Sequence, residues 1–173
     1  MAEREAGVRA LSASEGVVII EVPVDERSEL GGILEESFEG WYLRHSLGTL
    51  KDVEVVRAAQ LSGQNVGLIM LKTIEKEVGY VYYIAVARAH RRKGVARFLL
   101  QDSLNRFEST GMKEVFAGVE TDNLPSEKLF KSEGFTRTNF GEVAKNYGRF
   151  HALDMYRKML VVPGEVLLHK ELV

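Results

Sequence analysis

The sequence predicts a mixed α/β, or α+β, layered domain on three observations. Short β-branched and aromatic runs are separated by turn residues, amphipathic helical stripes are interleaved with those runs, and one strand-helix-strand crossover joins Gly79 to Thr121. The expected sheet is mixed but mostly antiparallel, with helices on both faces. At 173 residues the chain suits one domain with a sizeable core. A single unit over 1–173 is expected, with a flexible terminus at 1–16 and a C-terminal extension at 161–173.

Taken in order, Val17 to Val22 is a β-branched strand closed by Pro23. Asp25 reads as a helix cap, after which Leu30, Ile33, Leu34 and Phe38 recur at helical spacing until Gly40. A second short helix follows, with Leu43, Leu47 and Leu50 on one side. Glu54 to Leu61 and Val66 to Thr73 are rich in strand formers, and Ser62-Gly63-Gln64-Asn65 between them supplies a hairpin connection. Gly79 to Val86 places Tyr80, Tyr82, Ile84 and Val86 on one face and Val81, Tyr83 and Ala85 on the other, so it reads as a central strand. Ala96, Leu99, Leu100, Leu104 and Phe107 form one helical stripe that Gly111 ends. Glu114 to Thr121 is the next strand. A short helix opens near Pro125, carries Glu127 at the positive end of its dipole and runs to Ser132. Gly134-Phe135 turns into another strand, Asn139 to Gly148 reads as a polar loop, and Phe150 to Leu160 reads as a last long strand. The tail after Pro163-Gly164 fits helix or strand, and its apolar side could pack on the domain or on a second copy, which leaves a homodimer open.

Composition narrows the class. The absence of cysteine removes disulfides, thiolate metal sites and a cysteine nucleophile together, and fits a reducing, cytoplasmic interior. The four histidines, His45, His90, His151 and His169, lack metal-ligand spacing, so no metal centre is expected. The charged start Met1-Ala2-Glu3-Arg4-Glu5 leads into no signal-peptide core, and no apolar run approaches the roughly 20 residues of a spanning helix, so no membrane partner is expected. A net charge of -2 makes no global case for nucleic acid. Its distribution is uneven: Val78 to Gln101 contains no Asp or Glu but holds Arg88, Arg91, Arg92, Lys93 and Arg97, which leaves the remainder at about -7. An anion is the local partner this suggests; a solvated basic face is the alternative.

Arg91-Arg92-Lys93-Gly94-Val95-Ala96 follows a strand and opens a helix. There the first-turn N–H groups are unpaired and point with the positive end of the macrodipole, so an anion fits. Gly94 lets a phosphate approach the backbone, Ala96 keeps the next turn small, and the cationic side chains add charge-assisted donors. No Gly-Lys-Ser/Thr follows and the three-glycine dinucleotide pattern is absent, which disfavours two common phosphate readers.

The pattern present, Arg-x-x-Gly-x-Ala, resembles the pyrophosphate loop of the GNAT acetyltransferases. Asn123, Ser126, Leu129-Phe130 and Gly134-Phe135 resemble that family's downstream pattern of Asn, a small residue, Leu-Tyr and Gly-Phe. The resemblance implies the GNAT fold with a splayed parallel strand pair, Gly79 to Val86 and Glu114 to Thr121, that admits the pantetheine arm of acetyl-CoA. The backbone of Ile84, Ala85 and Val86 would hold pantetheine, with an N–H near Val86 facing the thioester oxygen. Arg91, Arg92, Lys93, Gly94, Val95, Ala96 and Arg97 would hold the pyrophosphate. Asn123, Ser126 and Phe130 would contact the cofactor from the other side; for Asn123 a helix N-cap is the alternative. Trp41 and Tyr42, between the first two helices, fall where the family builds its acceptor pocket, and a core role is the alternative.

The implied activity is transfer of acetyl from acetyl-CoA to an amine by direct attack in a ternary complex. A protein α-amine has a slight edge over lysine or a polyamine. At pH 7 an α-amine with pKa near 8 is neutral roughly a tenth of the time, a lysine only about once in 2,500. Two departures from the family qualify the chemistry. No carboxylate lies on Gly79 to Val86, which leaves Glu120 as the candidate base. Phe130 replaces the usual tyrosine acid, which leaves Tyr156 on the last strand, Tyr147 from the preceding loop, or an unassisted thiolate. A non-catalytic acyl-CoA sensor is the competing reading.

Overall fold

A computed structural model describes residues 16–173, and the expectation for the N-terminal segment falls, apart from Gly16, outside the described residues. The strands are β1 (Val17–Glu21), β2 (Val55–Leu61), β3 (Gln64–Glu75), β4 (Val78–Val86), β5 (Glu114–Glu120), β6 (Thr136–Thr138) and β7 (Glu165–Glu171). The helices are α1 (Gly31–Ser37), α2 (Gly40–Asp52), α3 (Val95–Ser109), α4 (Leu124–Ser132), α5 (Phe140–Tyr147) and α6 (Arg149–Met159), with 3-10 turns at Val24–Leu30 and Arg88–His90. The strands form one sheet in the order β1-β2-β3-β4-β5-β7-β6, mostly antiparallel, with β4 and β5 the parallel pair. Among the described residues no helix is long and apolar enough to cross a membrane. By its contacts the chain falls into two compact units, one of residues up to Met70 with Tyr83–Ser103, the other of Leu71–Tyr82 with Leu104–Val173.

In the first unit β1 runs antiparallel to β2 from Val17↔Leu61 to Glu21↔Arg57. The β2–β3 connection is tighter than the sequence suggests, because Ser62 and Gly63 alone form it, at φ 51° and 77°. Two successive positive φ values are what a type I′ hairpin turn requires, and its twist matches that of the strands. Asp25 is not a cap: the residue preceding the 3-10 turn is Pro23, with no side-chain cap bond. That turn instead positions the buried Arg27, whose Nη1 donates to the carbonyls of Val53 at 2.6 Å and Leu50 at 3.3 Å. Those are carbonyls at the C-terminal end of α2, where intrahelical donors run out. α2 begins at Gly40, so Trp41 and Tyr42 sit in its first turn rather than between two helices.

In the second unit the parallel register runs from Val78↔Glu114 to Val81↔Ala117 and ends there, while β5 continues to Glu120. Along its whole length β5 pairs with β7, from Glu114↔Glu171 to Glu120↔Glu165. The tail after Gly164, left open as helix or strand, is therefore β7, a sheet strand with β6 on its other side.

The largest correction lies at 139–160, read from sequence as a loop and a strand and found as two helices. Asn139 caps α5 by accepting the Glu142 amide at 3.1 Å, and Gly148 at φ 87° breaks the chain between α5 and α6. Ala152, Met155 and Met159 recur at helical spacing and are buried, whereas Phe150, the first residue of the expected strand, is 89% exposed. Val143 joins them against Ile74, Val78, Tyr80, Phe116 and Leu167 in one apolar cluster.

Candidate functional site

The basic turn is exposed from Arg91 to Gly94. Arg92 at φ 59° and Gly94 at φ 84° adopt left-handed backbone, with Arg91 at φ -71° outside that region. Left-handed residues are among the elements from which an anion-binding nest of successive N–H groups is built. Among the described residues, the N–H groups of Arg92, Lys93, Gly94, Val95 and Ala96 meet no acceptor; the first bond of the α3 ladder runs from Phe98 N–H to Gly94 O at 3.0 Å. A Cβ built on Gly94 would touch nothing within 4 Å, so the residue is required by its φ rather than by crowding.

The cationic side chains of this turn divide into two groups. Arg91 braces the turn: its Nε donates to Val86 O at 3.0 Å, and its Nη2 donates to Glu36 O at 2.8 Å and Ser37 Oγ at 3.3 Å. Lys93 Nζ likewise donates to Ala89 O at 3.1 Å. Arg92 makes no hydrogen bond or ion pair among the described residues. Glu36 also fastens the approach to the turn, its carboxylate accepting the Arg88 amide at 2.6 Å. Sequence reading missed Glu36, because nothing in the spacing of α1 signals a tie to a turn more than fifty residues on.

The peptides of Ile84, Ala85 and Val86 form the end of β4, and Ala87 N–H closes that end on Val66 O at 2.8 Å. Beside them lies an aromatic group from α2, β4 and Phe38, the residue that follows α1. Trp41, 45% exposed, stacks on His45 with centroids 4.8 Å apart and rings 10° from parallel, and meets Tyr42 edge-on at 5.0 Å. His45 Nδ1 is 2.7 Å from the Tyr83 hydroxyl, and Phe38 meets Tyr83 edge-on at 5.3 Å. Burial lowers the His45 pKa from its ordinary value. His45 was read from sequence only as a residue without metal spacing; its partner is thirty-eight positions away on a strand.

In the second unit Glu120 is the last residue of β5, opposite Glu165 in register and half-buried. Asn123 caps α4, its Oδ1 accepting the Ser126 amide at 3.3 Å. Phe130 is buried edge-on against Phe135 at 5.1 Å. Tyr156 lies on α6, not on a strand, packed edge-on against Phe140 at 5.3 Å; burial and then the Glu142 charge raise its pKa. Tyr147 ends α5 rather than lying in a loop and donates its hydroxyl hydrogen to Glu114; burial, then that carboxylate, pushes its pKa well up. The placement of both tyrosines follows from the helices that replace the expected loop and strand.

A strand end leading into a nest of free amides at a helix N-terminus, on this sheet order, is the arrangement of an acyl-coenzyme A transferase fold. The model of the acetyltransferase (GNAT) family matches residues 25–135, and the chain belongs to that family. No curated protein matches it in sequence. Among solved structures, Ard1 from Thermoplasma volcanium is similar with a TM-score of 0.69 at 19% identity, covering 91% of this chain and 99% of that one. The ribosomal-protein-S18-alanine N-acetyltransferase from Escherichia coli is similar at 0.68 and 13% identity, over 90% and 93%. PaiA N-acetyltransferase from Thermoplasma acidophilum, solved in complex with coenzyme A, is similar at 0.68 and 13%, over 90% and 99%. At these identities the likeness is one of fold.

Proposed function

We propose that the protein is an acetyl-CoA-dependent N-acetyltransferase acting on an amine, with a protein N-terminal or lysine amine preferred over a small polyamine. The observation that carries this reading is the run of unpaired amides from Arg92 to Ala96 at the head of α3. A diphosphate offers several acceptor oxygens, and such a run offers donors to match, with the helix dipole and Arg92 adding positive charge. The residues present fit the group.

When bound, acetyl-CoA supplies an acetyl thioester open to attack by a neutral amine. Residues Arg91 to Arg97 hold its diphosphate end, Arg91 as a brace and Arg92 as a charge. The peptides of Ile84 to Val86 would hold the pantetheine arm, and an amide there would be the donor for negative charge that develops on the thioester oxygen. By the family resemblance Asn123 and Ser126 of α4 would also contact the cofactor. Trp41 and Tyr42 border the acceptor. Glu120 is one candidate to take the proton of the ammonium, and Tyr156, protonated at neutral pH, is the candidate to return one to the thiolate.

The test is calorimetric. Gly94→Val forces a β-branched residue into φ 84° and is expected to abolish coenzyme A binding while the circular dichroism spectrum persists. Undiminished binding would overturn the reading. A mass-spectrometric screen of amines with acetyl-CoA then separates enzyme from sensor, since binding without turnover of any amine favours the latter.

A further inference from the structure

By its own sequence α1 is a weak helix. It has seven residues, opens on Gly31-Gly32 and lacks a side-chain N-cap bond, so little within it favours helix over coil. The last carbonyls of a helix have no intrahelical donors. In α1, Leu34 O accepts the Phe38 amide at 2.9 Å, and Glu36 O accepts Arg91 Nη2 at 2.8 Å. The guanidinium thus caps α1 from outside, where positive charge also complements the helix dipole. The Glu36 carboxylate accepts the Arg88 amide at 2.6 Å. One residue of α1 therefore holds both ends of the stretch 88–91, through its carbonyl and through its side chain.

That stretch is where tied backbone gives way to free backbone. Ala87 N–H is closed on Val66 O and Arg88 N–H on Glu36, whereas the amides from Arg92 to Ala96 meet no acceptor among the described residues. On its other side α1 leads to α2 through Phe38 and Glu39 alone, and Gly40, at φ 55°, starts α2 with Trp41 next. Phe38 is seated edge-on against Tyr83 of β4 at 5.3 Å. Ile33 and Leu34 are buried and fix the middle of α1, so the ties through Glu36 govern its last turn and its link to α2. Both ties lie at the surface and can open without unpacking the core.

We propose that Glu36 is a positioning residue that couples the anion turn to α1 and, through it, to Trp41 and Tyr42 at the start of α2. The proposal rests on the acyl-transfer reading above, in which those two residues border the acceptor. A diphosphate favours the arrangement of the turn that presents its free amides together, and the ties to Glu36 hold the turn in one arrangement. Bound coenzyme therefore steadies the last turn of α1 and the start of α2. By reciprocity, an acceptor seated against Trp41 tightens the coenzyme by the same factor.

Trp41 is the single tryptophan of the chain, so its emission reports on this segment alone. The experiment follows that emission through a titration with coenzyme A, with calorimetry giving the affinity. The native protein is expected to change its emission on binding. Glu36→Ala is expected to weaken coenzyme A about tenfold, the equivalent of one hydrogen bond to a charged group, and to lose most of the emission change even at saturation. Glu36→Gln keeps an oxygen for the Arg88 amide and is expected to restore most of both. Arg88→Pro removes the donor instead. Arg88 opens a 3-10 turn, where a ring that sets φ near about -65° is accommodated, so this variant should match Glu36→Ala, with Arg88→Ala correcting for the lost charge. The double variant should add nothing to either alone. A full native emission change at saturating coenzyme A in either Glu36→Ala or Arg88→Pro overturns the proposal, as does a native protein that binds coenzyme A with no change in emission. Should Glu36→Ala not fold, Arg88→Pro decides alone. Failure of the native protein to bind coenzyme A at all is a different result, and it would sink the acyl-transfer reading itself.

Discussion

The Nε of Arg91 lies 3.0 Å from the carbonyl oxygen of Val86, so the first residue of the basic turn is tied to the last residue of β4. The guanidinium goes on to Glu36 O and Ser37 Oγ, so one side chain secures the turn to both β4 and α1. On the proposed reading, its value to binding is the ordering of free amides before an anion arrives.

Arg91→Ala is expected to weaken coenzyme A roughly tenfold to a hundredfold, the equivalent of one or two hydrogen bonds from a charged donor. Arg92→Ala should cost less than tenfold and show the steeper dependence on salt, since its charge has no fixed partner among the described residues. Isothermal calorimetry at two ionic strengths checks both, and an Arg91→Ala affinity equal to native would show that the turn needs no brace.

Gly79 faces the ring of Phe107, and a Cβ built there would stand 2.6 Å from Phe107 Cε1. Phe107 is itself buried, so the ring has little room to yield. Gly79→Ala is expected to cost about 1–3 kcal/mol by overpacking, with the melting temperature falling about 2–4 °C per kcal/mol. Pairing it with Phe107→Leu should recover part of the loss in a double-mutant cycle.

Glu127 is buried, its carboxylate accepting Arg137 Nε at 2.6 Å and Lys131 Nζ at 2.8 Å, and these bonds, Arg137 first, depress its pKa to about 2. A depressed carboxylate contributes stability that is complete above its unfolded pKa, near 4.3, and is lost as pH falls through the folded value. Glu127→Gln should therefore melt below native at pH 7, with the gap closing between about pH 4 and pH 2. Thermal scans across that range test it; a gap independent of pH would mean the carboxylate contributes shape rather than charge.

Tyr156 keeps its proton at neutral pH because burial and the Glu142 charge raise its pKa. Tyr156→Phe is expected to lower kcat about tenfold with coenzyme A affinity unchanged, if its hydroxyl protonates the leaving sulfur. Equal kcat would mean that the thiolate leaves unaided, which a thiol pKa near 8.5 permits.

Much of the fold was legible because local chemistry and global arrangement agree. Two apolar faces placed β4 centrally, the stripe from Ala96 to Phe107 marked α3, and Gly111 ended it, where Met112 N–H reaches back to Phe107 O at 2.9 Å. The segment 139–160 was misread because Phe150 and Leu160, exposed in the fold, imitate strand alternation together with Ala152 and Tyr156. The helical answer was present in Asn139-x-x-Glu142, a cap with its acidic third residue, and in Ala152, Met155 and Met159. The site divides along the same line. A turn is local, so its glycine and charges are visible in one hexad. The ties of Arg91 to Glu36 and of His45 to Tyr83 span 55 and 38 positions, and no periodicity announces them.

An anion held by peptide N–H groups is recognised by conformation, and peptides are the same in every residue. Substitution at Arg92, Lys93 or Val95 can thus proceed while the grip persists, provided position 94 can still adopt its left-handed φ of 84°. Chains sharing only 13 to 19% of their residues with this one share its fold. The residue of the turn with the least latitude is therefore the one that has no side chain at all.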